Sequence, residues 1–176
     1  MFETMDPIQK CVFLDRDGVL NYDSPGYVFE VSEYTLYPET ATVLSELKEA
    51  GYLLIVITNQ AGLSRGIYSR EQMNMCHTKL KNETGGIIDD IYYSPYHPSI
   101  TESLSRKPGT LLFEKAIAKW NIDTSSSWMI GDKQSDLLPA NSLGMKTIGI
   151  QRSHVIESSD FKISSIEDAT GIILAK

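Results

Sequence analysis

What this chain lacks closes off several kinds of chemistry. Its 176 residues include only two cysteines and three histidines. Cys11 belongs to an apolar run and Cys76 to a helical pattern, so buried free thiols are expected rather than a disulfide. Positive charge is not in excess: 16 Lys and Arg stand against 23 Asp and Glu, a formal net charge of -7. That balance argues against nucleic acid as the main partner, although a local basic pocket for one small phosphate ester is compatible with it. No apolar run approaches the ~20 residues that cross a bilayer. Met1 to Pro7 lacks the basic stretch followed by an apolar one that marks a secretory signal. A soluble, cytoplasmic protein is the expectation. Internal repeats, low-complexity tracts and a second-domain boundary are also missing. Hydrophobic residues make up 41% of the chain, enough for a core. Residues 1–176 read as a single domain, with 1–9 frayed ahead of the first strand.

What is present alternates between strand and helix signals. Cys11 to Leu14 is a short apolar run suited to a buried strand, and it ends abruptly in Asp15-Arg16-Asp17-Gly18. Asn21 to Tyr27 is dense in turn formers, and Val28 to Leu36 reads as a small hairpin or flap. Helix signals begin at Pro38 and close at Gly51. Tyr52 to Thr58 is the continuous β-branched run of a strand covered on both faces. Ser69 and Gln72 form a capping box for a helix through Met73, Cys76 and Leu80. Asp90 to Ser94 reads as a third strand, and Pro95 to Pro108 as a connection too long to be idle. A helix from about Thr110 to Trp120 and a strand from Trp128 to Ile130 follow. Leu137 to Leu143 looks helical, with Pro139 implying a late start or a kink. Lys146 to Ile150 and Phe161 to Ile163 read as strands, and a final helix starts near Ser165. The fold class is α/β: a doubly wound parallel sheet with helices on both faces, a small flap and no separate cap domain. Trp120 and Trp128 are read as core, and His77 and His154 receive no role.

In such sheets ligands bind beyond the carboxyl ends of the strands. Three strands end there in polar clusters: Asp15/Asp17, Thr58/Asn59 and Asp132. Side chains two apart on an extended backbone point the same way, so Asp15 and Asp17 should emerge together. A hard divalent cation with oxygen ligands, Mg2+ above all, would relieve their repulsion. Gly18 allows the turn that follows. An Asp at a strand tip can attack phosphorus and form an aspartyl phosphate. The phosphoryl oxygens then need neutralising, by the cation, a donor at Thr58/Asn59 and a Lys ammonium. Asp17 can protonate the departing alkoxide and later activate water. Each piece also has a plainer reading. Thr58 and Asp132 could be helix caps, Arg106 and Lys107 solvated loop charges, and Lys133 a helix-surface residue.

Taken together, Asp15-x-Asp17-Gly-Val-Leu, the strand ending in Thr58, Lys107-Pro108 and Gly131-Asp132-x-x-x-Asp136 resemble the four motifs of the haloacid dehalogenase (HAD) superfamily. They stand in the superfamily's order and span most of the chain. Phe-Leu-Asp-Arg-Asp-Gly, Thr-Asn-Gln-x-Gly at 58–62, Arg106-Lys107-Pro108 and Gly131-Asp132-Lys133 resemble its branch of heptose-bisphosphate and histidinol phosphatases. Gly26-Tyr27-Val28 is more similar to the heptose-bisphosphate side. The resemblance implies a Mg2+-dependent phosphoric monoester hydrolase acting on a small phosphorylated metabolite. The expected substrate is the 7-phosphate of D-glycero-D-manno-heptose 1,7-bisphosphate, with histidinol phosphate as the alternative. By the same resemblance Asp15 is the nucleophile and Asp17 the general acid/base. The Asp15 carboxylate, the Asp17 carbonyl and Asp132 hold the metal, and Thr58 and Lys107 seat the phosphoryl group. Asp23, Gly26, Tyr27, Asn59, Gln60, Ala61, Arg106 and Lys133 face the substrate. Asp136 orients Lys107 or the metal shell.

One departure stands out. Relatives in this branch often carry a zinc loop, Cys-x-His and then Cys-x-Cys before Arg-Lys-Pro. Here the stretch reads Ser94-Pro-Tyr96-His97-Pro and Ser103-Leu-Ser105. Structural zinc wants a full set of N and S ligands, so no zinc is expected, and His97 is read as a loop surface residue. Val19, where many superfamily members have Thr, is a minor difference. The expected partners are one phosphorylated sugar or amino-alcohol and neither nucleic acid nor membrane, for a monomeric enzyme. A signalling receiver domain shares the sheet and a phosphorylatable Asp, but would not need Asp17.

Overall fold

The computed structural model describes residues 7–152 and 155–175; residues 1–6 of the expected frayed end, and His154, lie outside them. Six strands form one sheet: β1 (Cys11–Leu14), β2 (Leu53–Asn59), β3 (Asp90–Ser94), β4 (Trp128–Gly131), β5 (Lys146–Ile150) and β6 (Phe161–Ile163). Their order is β3-β2-β1-β4-β5-β6, and every pairing is parallel. The helices are α1 (Thr40–Glu49), α2 (Arg70–Glu83), α3 (Leu111–Trp120), α4 (Gln134–Ser142) and α5 (Asp168–Ile173).

Alternation along a strand sends successive side chains to opposite faces, and β1 shows how this divides the core. Val12 and Leu14 pack with Val43, Leu44 and Leu47 of α1, Cys76 and Leu80 of α2, and Ala169 and Ile173 of α5. Cys11 and Phe13 pack instead with Leu112, Phe113 and Ala116 of α3 and with Leu137 and Ala140 of α4. Parallel strands buried on both faces need apolar residues at every position, and all four residues of β1 are buried. The chain moves outward from β1 to β3, then returns past β1 to β4. The switch point between β1 and β4, where such sheets take their ligands, therefore lies at the strand that leads into Asp15. Both cysteines are buried and free, and they sit in separate halves of the core. Among the described residues no helix is long and apolar enough to cross a membrane.

Four expectations on local structure need correction. Val28 to Leu36 forms no hairpin; its one bridge is Leu36 to Asn21. The segment is a loop laid on α2, where Lys79 Nζ donates to the carbonyls of Val31 (3.1 Å) and Tyr34 (2.6 Å). A side chain thus satisfies the backbone that a partner strand would have served. Helix α4 begins at Gln134, not Leu137, because Asp136 Oδ2 accepts the Lys133 N–H at 3.0 Å and fixes the first turn. Pro139 is accommodated inside it. Helix α5 starts at Asp168, after a turn in which the Ser165 hydroxyl bonds Glu39 Oε1 at 2.9 Å. Gln9 is tied down rather than frayed, bridging Ile122 and donating its N–H to Asn121 O at 2.9 Å.

Phe13 is fully buried, with its ring 5.3 Å from that of Phe113. Phe13→Ala is expected to cost about 3–5 kcal/mol of unfolding free energy, read as a lower urea midpoint at unchanged slope.

Candidate active site

The carboxyl ends of β1, β2 and β4 lie side by side, and each delivers polar residues to the same place. Asp15 continues the β1–β4 ladder by donating its N–H to Ile130 O at 3.0 Å. The chain then turns at Gly18, whose φ of +89° suits glycine. A Cβ on Gly18 would also collide with the Asp132 carboxylate, and one on Gly131 with the side chain of Asp136. The two motif glycines thus clear the space that two buried acids occupy.

Asp15, Asp132 and Asp136 are all buried, and each offers a carboxylate oxygen within 4.8 Å of the others. Lys107 stands among them. Its Nζ donates to Asp15 Oδ1 at 2.6 Å and to the Ile57 carbonyl at 2.6 Å, and pairs with Asp136 Oδ1 at 2.9 Å. Burial works against the ammonium, but Asp136 and Asp15 outweigh it and hold its pKa above the ordinary lysine value. Asp132 is left over: both its oxygens are buried without a hydrogen bond, and Lys133 Nζ stands 3.5 Å from Oδ2. Burial, with Asp15 nearby, pushes the Asp132 carboxyl up to about 7. Burial likewise raises Asp15 to about 6, against the pull of Lys107 and with Asp136 adding to the rise. Buried anions need a partner. Three oxygen donors within so small a span, one of them orphaned, fit a hard divalent cation.

Asp17 emerges into the same cleft as Asp15, as expected, but its carboxylate stands apart from the three-acid cluster. Arg16 Nε and Nη2 bond its two oxygens at 3.0 and 2.9 Å, Asn21 Nδ2 donates at 3.0 Å and Gln60 Nε2 at 3.1 Å. Burial favours the neutral acid, but Arg16 and these donors outweigh it and hold Asp17 below the usual carboxylate range. Arg16 itself is buried and also donates to Val28 O at 3.0 Å. Arg16 is a functional residue not among the expected ones, although a cation between two acids at the end of a buried strand is a usable signal for it.

A cleft of about 210 Å³ opens above these groups, walled by Asp15, Asp17, Tyr27, Thr58, Asn59, Ala61, Arg106, Lys107, Lys133 and Asp136. Three of the residues expected to face the substrate do not wall it. Gln60 is buried and turned inward, bonding Asp17, Thr58 and Tyr68. Gly26 is exposed, and open space surrounds the place where its Cβ would be. Asp23 reaches the rim only through Lys133 Nζ, at 3.3 Å. Asn59 is on the wall, but its amide is occupied in holding Lys107: Nδ2 donates to Lys107 O at 3.2 Å and Oδ1 accepts the Lys107 N–H at 3.0 Å. His97 and Ser135, which are not among the expected site residues, also line the cleft. His97 is a half-buried loop residue whose Nδ1 lies 2.7 Å from Ser99 Oγ. Its N–H donates to Ser64 Oγ at 3.0 Å, which ties this part of the loop to the segment after β2.

The loop between β3 and α3 is held by hydroxyls. Ser105 Oγ lies 2.9 Å from Ser94 Oγ and 2.8 Å from Ser103 Oγ, so it links the two stretches of the loop in which no zinc was expected. Arg106 follows directly and donates to Tyr96 O at 3.2 Å.

Comparison with known proteins agrees with this geometry. A family model described as HAD-hydrolase-like matches residues 104–157. The chain is 38% identical over 148 residues to a D-glycero-beta-D-manno-heptose-1,7-bisphosphate 7-phosphatase of Haemophilus ducreyi, covering 79% of this chain and 81% of that one. It is 33% identical over 182 residues to the enzyme of the same name from Pasteurella multocida, covering 94% and 97%. The fold matches the crystal structure of a D,D-heptose 1,7-bisphosphate phosphatase from B. bronchiseptica, complexed with magnesium and phosphate. The TM-score is 0.86 at 24% identity, over 94% of this chain and 98% of that one.

The raised Asp15 and Asp132 values give a signed pH dependence. Without a cation the fold keeps protons that the unfolded chain releases near pH 4. The associated stability is complete below about pH 4 and is lost as the pH rises through 6 to 7. Calorimetry is expected to show a larger Mg2+-induced rise in Tm at about pH 8 than at about pH 5. Asp132→Asn is expected to raise the metal-free Tm at the higher pH and to remove most of the Mg2+ response. Equal Mg2+ responses at both pH values would count against this cluster as the cation site.

Proposed function

Because this chain belongs to the HAD-like hydrolases, as a relative of the heptose-bisphosphate 7-phosphatases, we propose that it is a Mg2+-dependent phosphatase. Its proposed substrate is D-glycero-D-manno-heptose 1,7-bisphosphate, from which it removes the 7-phosphate. The observation that carries the chemistry is the buried Asp15–Lys107–Asp136 arrangement with Asp132 beside it, buried and without a hydrogen bond. Asp15, the Asp17 backbone carbonyl and Asp132 would hold the magnesium ion, with Asp136 at its edge. When bound, that ion supplies the positive charge that draws in and neutralises phosphoryl oxygens.

The chain's own residues divide the remaining work. Lys107 fixes one Asp15 oxygen at 2.6 Å, which leaves the other to attack phosphorus and form an aspartyl phosphate. The Thr58 hydroxyl and Lys107 seat the phosphoryl oxygens. The Asp17 carboxyl gives a proton to the departing sugar oxygen, then takes one from the water that hydrolyses the acyl phosphate. At rest Asp17 is a carboxylate, the form suited to the second half. A dianionic ester arriving beside it raises its pKa and favours the protonated form that the first half needs. Arg106 and Lys133 stand on the cleft wall and suit a substrate with a second phosphate and several hydroxyls.

Two measurements test this. Asp15→Asn is expected to lower kcat at least ~1,000-fold with the fold retained; substantial residual turnover would remove Asp15 as nucleophile. In a kinetic panel the heptose bisphosphate is expected to give a higher kcat/KM than histidinol phosphate or simple sugar phosphates. A preference for histidinol phosphate would overturn the substrate and leave the chemistry standing.

A further inference from the structure

Gln60, expected at the mouth of the cleft, lies beneath it and holds two of its functional groups at once. The side chain is buried. Its Nε2 donates to Asp17 Oδ2 at 3.1 Å and to Thr58 Oγ1 at 2.9 Å, and its Oε1 accepts from the Tyr68 hydroxyl at 2.7 Å. We propose that Gln60 is a positioning residue for the phosphatase reaction, joining the acid/base carboxylate to the phosphoryl seat in an orientation set by Tyr68. The inference rests on the phosphatase reading above.

The amide has only one workable orientation. Reversing it would bring Oε1 against an Asp17 carboxylate oxygen, acceptor against acceptor in a buried site. It would also leave the Tyr68 hydroxyl opposite an NH2 group. In the orientation present, both Nε2 hydrogens are used and Oε1 is filled. The consequence falls on Thr58. Its oxygen already accepts a hydrogen bond from below, so its own proton cannot point at Gln60. Among the described residues that hydroxyl donates to no protein acceptor, and Thr58 lines the cleft. The hydroxyl is thereby set as a donor toward a phosphoryl oxygen, a role an unsupported rotor would fill only part of the time.

Tyr68 is itself fixed. A Cβ on Gly62 would run into its ring, so the glycine of Thr-Asn-Gln-x-Gly makes room for the phenol. Phe29 stacks on the ring at 5.2 Å between centroids, and Tyr27 meets it edge-on at 5.7 Å. Arg16 and Asn21 hold Asp17 from the β1 side. Among its hydrogen-bond partners Gln60 is the one that also reaches Thr58, so the two halves of the reaction share one amide.

Gln60→Met keeps the length of the side chain and removes its hydrogen bonds; Tyr68→Phe keeps the ring and removes the orienting hydroxyl. With p-nitrophenyl phosphate and the heptose bisphosphate as substrates, Gln60→Met is expected to lower kcat about 10- to 100-fold, with a much smaller change in KM. Tyr68→Phe is expected to cost about 3- to 10-fold in kcat and nothing further in the Gln60→Met background, since it acts through the amide. Thermal melts of each variant assign kcat to folded protein. Wild-type kcat in folded Gln60→Met would overturn the proposal. So would a Tyr68→Phe penalty of the same size in both backgrounds, and Tyr68→Phe decides alone if Gln60→Met does not fold. A wild-type protein that turns over neither substrate would instead sink the phosphatase reading, and this inference with it.

Discussion

Everything at the catalytic end of the sheet depends on one unequal grouping of charge. Three buried carboxylates, Asp15, Asp132 and Asp136, share a space in which any two offer oxygens within 4.8 Å, and one buried ammonium, Lys107, pairs with two of them. Lys133 Nζ stands 3.5 Å from the third, Asp132, so the ionised cluster keeps an excess of negative charge that a divalent cation would offset. In the bare protein burial removes part of that excess by retaining protons on Asp15 and Asp132. The arrangement is a poor choice for stability, because apolar residues of similar volume would sit there at lower cost. It makes sense only for a site completed from outside by a cation and by an anionic ester.

Steric room is the second half of that constraint. Carboxylates can be brought this close only if the backbone around them is thin. Gly18 and Gly131 supply the thinness, since a methyl group at either would overlap Asp132 or Asp136. Each glycine is adjacent to a functional acid in sequence and makes room for a different one in space. The spacing of Asp15-x-Asp17-Gly18 and of Gly131-Asp132-x-x-x-Asp136 is therefore a packing solution as much as a chemical one. Gly62 serves Tyr68 in the same way.

These relations explain what the sequence could and could not disclose. Strand and helix order was legible because parallel strands buried on both faces need unbroken apolar runs, as in Cys11 to Leu14 and Tyr52 to Thr58. The meeting of Asp15, Thr58, Lys107 and Asp132 followed from strand ends plus motif order. The Asp17 carboxylate reaches the same cleft as Asp15, but its ties to Arg16, Asn21 and Gln60 were not legible: the period-two rule holds for extended backbone, and the chain has left the strand by Asp15. Gln60 was misplaced for a related reason. Position within a motif says that a side chain is near the site, not whether it points up into the cleft or down among Asp17, Thr58 and Tyr68. The segment from Val28 to Leu36 misled because a lysine on a distant helix, Lys79, took over the role of a partner strand, and side-chain-to-backbone bonds across 48 and 45 residues leave no local pattern.

The division between rigid and adaptable parts follows from the same topology. Asp15, Thr58 and Asp132 sit on or beside central strands, which have neighbours on both edges and helices on both faces, so their positions are fixed by the core. Lys107 comes from a loop, yet its ammonium must be placed as accurately as theirs. Asn59 achieves this by pairing with the Lys107 peptide through both its N–H and its carbonyl, while the Ile57 carbonyl receives the ammonium. The loop is thus anchored to β2 at the residue the chemistry uses. Further from that anchor, a cluster of three serine hydroxyls holds Arg106 to the end of β3, with bonds far weaker than metal–thiolate ones. Substrate-facing parts of the loop can therefore vary in composition while Lys107 stays in place, because the tie that matters to phosphoryl transfer is made to the sheet and not to the rest of the loop.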